Sequence, residues 1–144
     1  MKTMRPALLL ASLICLTFLG GCGNDGAGLK LAPVTGRVTY KNQAIAGATI
    51  FFLPDTAKGT QGEMGSAILK PSDGSFAITT NHLKGQRDGV APGSYRVTLG
   101  LDRMPGPELD KFRDLKTTPL TIDVPEEGYS DVIVDLEKGT IVVK

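Results

Sequence analysis

From Val34 to the end of the chain, apolar side chains recur every second residue, which sets alternate positions on one face of an extended strand. Val34, Gly36, Val38 and Tyr40 share one face, with Thr35, Arg37 and Thr39 on the other. Lys41-Asn42-Gln43 breaks the pattern, and Ala48 to Leu53 is a continuous apolar, β-branched run suited to a central strand closed by Pro54-Asp55. A polar stretch from Thr56 to Gly65 precedes a short strand over Ser66 to Leu69. Pro71-Ser72-Asp73-Gly74 is a tight-turn signal, because proline presets one backbone angle and glycine tolerates positive φ. Phe76 and Ile78 alternate beyond it, followed by the cleanest strand of the chain, Tyr95, Val97, Leu99 and Leu101, launched by Pro92-Gly93. Leu120, Ile122 and Val124 predict another strand, Val132, Val134 and Leu136 a further one, and Thr140 to Val143 a short edge.

The intervening segments are polar. Asn81 to Ala91 reads as a loop, and Met104 to Lys116 as a solvated loop with one helical turn. No amphipathic segment reaches ten residues at helical spacing, which excludes crossover helices and hence a parallel βαβ sheet. The expected fold is therefore all-β: an antiparallel Greek-key β-sandwich of about seven strands, with two packed sheets.

The first residues follow a different pattern. Lys2 and Arg5 precede 13 almost uniformly apolar residues, Ala7 to Leu19, and then Gly20 and Gly21. This is the layout of a secretory signal peptide; the apolar run is too short for a transmembrane helix, which needs about 20 residues. Leu19-Gly20-Gly21-Cys22 resembles the lipobox of bacterial lipoproteins. That resemblance implies that Leu19, Gly20 and Gly21 are read by the signal peptidase and that Cys22 becomes an acylated N-terminus. Three acyl chains, at about 0.8 kcal/mol per buried CH₂, anchor durably where one does so only marginally. Cys15 lies within the apolar run and is lost with it, leaving no cysteine to form a bridge with Cys22. Gly23 stands where an aspartate commonly signals inner-membrane retention in Gram-negative lipoproteins, which favours the outer membrane. The division that follows is a signal peptide over 1–21, a lipidated flexible tether over 22–33 and a sandwich over 34–144, placed extracytoplasmically and facing the periplasm or the cell exterior.

Val34-Thr35-Gly36-Arg37-Val38, Ala46-Gly47-Ala48-Thr49-Ile50-Phe51-Phe52, Asp73-Gly74-Ser75-Phe76 and Ala91-Pro92-Gly93-Ser94-Tyr95-Arg96-Val97-Thr98-Leu99 follow one another in an order that resembles the carboxypeptidase regulatory-like, transthyretin-like (prealbumin-like) domain. The likeness is greatest to the form found in small lipoproteins of planctomycete-type bacteria, and it continues through Lys111-Phe112 and Leu120 to Leu136. Asn81 to Ala91 is longer than in the shortest members. The resemblance implies a fold; a shared fold does not carry an activity with it.

Composition narrows the chemistry. Lys and Arg number 16 and Asp and Glu 15, so the chain lacks the cationic excess that holds nucleic acid by its phosphates. Without Lys2 and Arg5 the balance becomes −1. His82 is the single histidine, too little for a zinc site once the cysteines are accounted for. Ser66, Ser72, Ser75, Ser94 and Ser130 lie outside any Gly-x-Ser-x-Gly context, and no Rossmann, P-loop or EF-hand spacing occurs. Asp102, Glu108, Asp110, Glu126 and Glu127 alternate with cations as solvated turns do.

The expectation is a module without catalysis and without cofactor or metal. It is attached to the membrane by lipid and acts in protein binding or envelope structure, with a polysaccharide ligand as the alternative and a carboxylate-dependent hydrolase as the more remote one. Its partner contacts are assigned to loops through His82, Lys84, Arg87, Arg103, Phe112 and Tyr129; the last two aromatics are the rings available for stacking on a sugar.

Overall fold

The computed structural model describes residues 28–101, the Leu101 side chain excepted, and 106–144. The expected signal peptide over 1–21, with Leu19, Gly20, Gly21 and Cys22, lies outside these residues, as does Arg103.

Among the described residues eleven strands fall in chain order: β1 Val34–Tyr40, β2 Gln43–Ala44, β3 Ala48–Pro54, β4 Gly65–Ile68, β5 Ser75–Ala77, β6 Thr79–His82, β7 Gly85–Asp88, β8 Gly93–Leu101, β9 Thr121–Val124, β10 Tyr129–Asp135 and β11 Thr140–Val143. They make an all-β sandwich. One sheet runs β11-β10-β1, with the far edge of β1 shared by β2 and β5; the other runs β7-β6-β4-β3-β8-β9. As expected of a continuous apolar run, β3 is central, flanked by β4 and β8.

Three features depart from the sequence reading. Eleven strands replace about seven, because short pairings hide in segments without apolar alternation. Lys41 and Asn42 both adopt positive φ, 51° and 60°, and form a two-residue hairpin turn that pairs Tyr40 with Gln43, so the interruption seen there is the turn into β2. The sheets are also not wholly antiparallel: β1 runs parallel to β10, with Gly36 opposite Val132 and Val38 opposite Val134. A Cβ on Gly36 would lie 2.1 Å from the Val132 carbonyl oxygen, so this close approach requires glycine.

The chain changes sheets at Ile78, between β5 and β6. Its amide donates to the Val34 carbonyl (2.9 Å) in one sheet, and its carbonyl accepts from the Gly89 amide (2.8 Å) beside the other. Its side chain is buried. Between the sheets, Phe52 sits 6.3 Å from Phe76 and 6.1 Å from Tyr95, ring centre to ring centre and tilted, so a facing pair and a neighbouring pair share one aromatic centre. Val34, Val38, Val97, Leu99, Leu120, Val132 and Val134 fill the remaining interior on the faces their alternation predicts.

The body begins before Val34, which shortens the expected tether. Ala32 and Val90 exchange amide hydrogen bonds (2.7 and 3.0 Å), and Ala32 is 0% exposed. The Pro33 carbonyl accepts from the Tyr129 amide at 2.8 Å. Gly128, at φ 74°, makes this approach possible, since a Cβ there would fall 2.0 Å from the same Pro33 oxygen. Ala32-Pro33 therefore behaves as body, because backbone groups of both residues find partners and the alanine is buried.

Candidate functional site

The interior is devoted to packing. Its buried polar residues are threonines, three of which donate to backbone carbonyls: Thr60 to Ser94 (3.0 Å), Thr80 to Gly89 (2.7 Å) and Thr118 to Val97 (2.6 Å). Tyr95 is the buried titratable group among the described residues. Its hydroxyl donates to the Ala91 carbonyl at 2.6 Å, and burial pushes its pKa up to about 12, so it remains a phenol. Among the described residues no group of three or more His, Cys, Asp or Glu side chains is placed to hold a metal ion, and no helix is long and apolar enough to cross a membrane.

The two segments assigned to partner contact separate in the structure. Residues 106–118 carry a 3₁₀ turn, Pro107–Phe112, whose Leu109 and Phe112 face the core. Phe112 is 0% exposed and cannot offer its ring to a ligand, contrary to its expected contact role. The reason is the spacing: three residues per 3₁₀ turn bring Leu109 and Phe112 onto one edge, while Glu108, Asp110 and Lys111 point outward. The segment is stitched to both sheets. Tyr40 of β1 donates to Glu108 (2.5 Å), Thr118 and Leu120 bond to Val97 of β8, and Arg96 reaches the Leu115 carbonyl at 2.9 Å. The Tyr40 hydrogen bond also holds the Glu108 carboxyl below its ordinary pKa. Asp110 pairs with Arg113 at 3.6 Å.

Asn81 to Ala91, read as a loop, begins as a hairpin. β6 and β7 pair Thr79 with Asp88, Thr80 with Arg87, Asn81 with Gln86 and His82 with Gly85, leaving Leu83 and Lys84 as a two-residue tip. The root is held by Thr80, and by Gln86, whose amide donates to the Thr79 hydroxyl at 2.7 Å. All of β7 is exposed, and Leu83 at the tip is 98% exposed. His82 is half-buried, and its Nδ1 accepts from the Lys84 amide at 3.4 Å. Arg87 donates to the Leu29 carbonyl at 3.4 Å. Leu29 and Leu31 thus lie against the hairpin, forming with Gly62, Thr80, His82 and Arg87 the wall of a shallow pocket of about 20 Å³. The structure brings His82, Lys84 and Arg87 together on this hairpin, as their proximity in sequence requires. Tyr129 stands apart in β10, half-buried, its hydroxyl donating to the Asp123 carbonyl at 3.0 Å.

Leu83 and the Leu29–Arg87 contact were missed by sequence reasoning. Polar alternation in Thr79 to Asp88 carries no apolar period, and the only local signal was Lys84-Gly85 after an isolated leucine. A groove of about 410 Å³ where β4 approaches β5 is lined by hydroxyl, methyl and amide groups, among them Ser66, Ile68, Ser75, Thr79 and Gln86, with Lys70 at its rim. These groups supply hydrogen bonds and apolar contact but no paired acid and base.

Comparisons with protein-family models, with curated proteins and with solved structures return no match.

Proposed function

We propose that this chain is a non-catalytic, lipid-anchored β-sandwich of the bacterial cell envelope, facing an extracytoplasmic space and acting by holding a binding surface close to a membrane. The observation that carries the reading is Leu19-Gly20-Gly21-Cys22 at the end of a 13-residue apolar run, placed only ten residues ahead of Ala32, the first residue fully pinned in the body. Ten residues span at most about 36 Å, so an acylated Cys22 confines the sandwich to the layer next to the bilayer. Confinement raises the effective concentration of the body for any partner in that layer. The order of turn and strand motifs, resembling the carboxypeptidase regulatory-like domain, supports a sandwich scaffold for that surface, with an envelope protein as the partner class. Gly23 after Cys22 favours the outer membrane.

The test is intact-mass measurement of the protein extracted with detergent from bacterial membranes. The expected product starts at Cys22 and carries the mass of three acyl chains, and Cys22→Ala moves the protein to the soluble fraction. A product whose Cys22 is unmodified overturns the proposal. In-cell proximity crosslinking from the surface of the same lipidated protein then identifies the partner.

A further inference from the structure

We infer that the β6–β7 hairpin is a membrane-contacting element that sets Leu83 into the surface of an anionic bilayer. The inference rests on the lipid-anchored reading above and adds to it the face of the sandwich turned toward the lipid.

Three independent observations converge. The first is where the chain leaves the body. Leu29 accepts from Arg87 of β7 and lies seven positions after Cys22, a span of at most about 25 Å. The point of attachment therefore lies against the hairpin, and a connection this short turns the hairpin side of the body toward the lipid. The second is the tip itself. Leu83 is 98% exposed at the turn of a hairpin whose strands are otherwise Thr, Asn, His, Gln, Arg and Asp, so a lone large apolar side chain projects from a hydrophilic support. Such a tip gains by leaving water while its backbone and polar neighbours stay hydrated. The third is charge. Lys84 adjoins Leu83, and Lys30 and Arg87 lie at the attachment side, against the nearby carboxylates Glu63 and Asp88. Lys84 thus places a cation beside the apolar tip itself, which suits anionic headgroups around an apolar insertion.

The topology supplies an internal control. β7 is one edge of its sheet, β9 is the other, and β11 approaches β9. Val142 of β11, also exposed, thus belongs to the side of the sandwich remote from the hairpin.

The chain contains no tryptophan, so one can be introduced as a single reporter. The lipidated Leu83→Trp and Val142→Trp proteins are purified from membranes, checked by intact mass, and reconstituted into vesicles of phosphatidylcholine with or without phosphatidylglycerol. Trp at 83 is expected to emit at shorter wavelength than in the detergent-free soluble Cys22→Ala background and to be quenched by brominated acyl chains, while Trp at 142 keeps its water-exposed emission. Lys84→Glu is expected to weaken the quenching on phosphatidylglycerol vesicles and leave it unchanged on phosphatidylcholine. Water-exposed emission from Trp at 83 in acylated protein overturns the inference and leaves the anchor standing, as does equal quenching at both positions. A blue shift that appears only when envelope proteins are added overturns it in favour of a protein-docking hairpin. Absence of acyl mass on Cys22 removes the anchor and the inference together.

Discussion

Residues 79–90 and residues 106–118 look alike as sequence, both rich in charged and hydroxylic side chains and poor in apolar period, yet the second sends Leu109 and Phe112 into the core while no residue from Asn81 to Asp88 is buried in the first. The second buries Leu109 and Phe112 and ties β1 to β8; the first leaves β7 and its tip in solvent and is held at its root by Thr80. Mean polarity therefore does not tell a clamp from a projection. What does is whether two apolar residues share an edge of the local helix: Leu109 and Phe112 do at a separation of three, whereas Leu83 stands alone.

The contrast can be broken most forcefully at Phe112. Phe112→Ala is expected to cost about 3–5 kcal/mol of folding stability, since it empties a ring-sized volume in a fully buried site, and the denaturant midpoint should fall accordingly. A midpoint near that of the natural sequence contradicts the clamp. Next come two matched threonines, each buried and each donating to a carbonyl, one in each region: Thr118 to Val97 and Thr80 to Gly89. Thr118→Val and Thr80→Val should each cost about 1–3 kcal/mol by leaving a buried acceptor unpaired. Similar losses place the root of the hairpin within the cooperative core despite its exposed strands; a negligible loss at Thr80 places the boundary between core and projection before β6.

A smaller effect depends on pH. The hydrogen bond from Tyr40 lowers the Glu108 carboxyl from its ordinary value of 4.5. A lowered folded-state pKa means that this stabilisation is fully present above 4.5 and is lost as the pH falls through the lowered value. Tyr40→Phe should therefore lower the melting temperature slightly at neutral pH and converge with the natural sequence in acid, so that its acid-side decline is shallower, and an unaltered acid limb rules out the contribution. The smallest change is expected at the hairpin tip, where Leu83→Ser should leave stability within about 0.5 kcal/mol. Its amides and those of β7 should exchange with solvent by local opening, ahead of those in β3 and β8.

Where the side-chain period and the burial coincide, the strands were legible in the residues alone. Tyr95, Val97 and Leu99 on β8, Leu120, Ile122 and Val124 around β9, and Val132, Val134 and Leu136 along β10 all point inward as their alternation requires. The paired strands β6 and β7 escaped because a hairpin held by backbone bonds, with one face in water and few buried side chains, leaves no apolar trace. β2 escaped because its turn uses Lys41-Asn42 without the glycine that usually marks such a bend. The parallel pairing of β1 with β10 has no local signal at all, since it joins residues about a hundred positions apart. For the site, the grouping of His82, Lys84 and Arg87 followed from their nearness in sequence. The contact of Leu29 with Arg87 did not, because it is a tertiary bond between a segment of glycine-rich appearance and the far strand of an unrecognised hairpin.

The parallel ladder between the first strand and the tenth also governs when the molecule can be finished. Val34 to Thr39 gain their partners along that edge only after Tyr129 to Asp135 exist, so a chain emerging N-terminus first carries an open seam on its first strand until the tenth has been made.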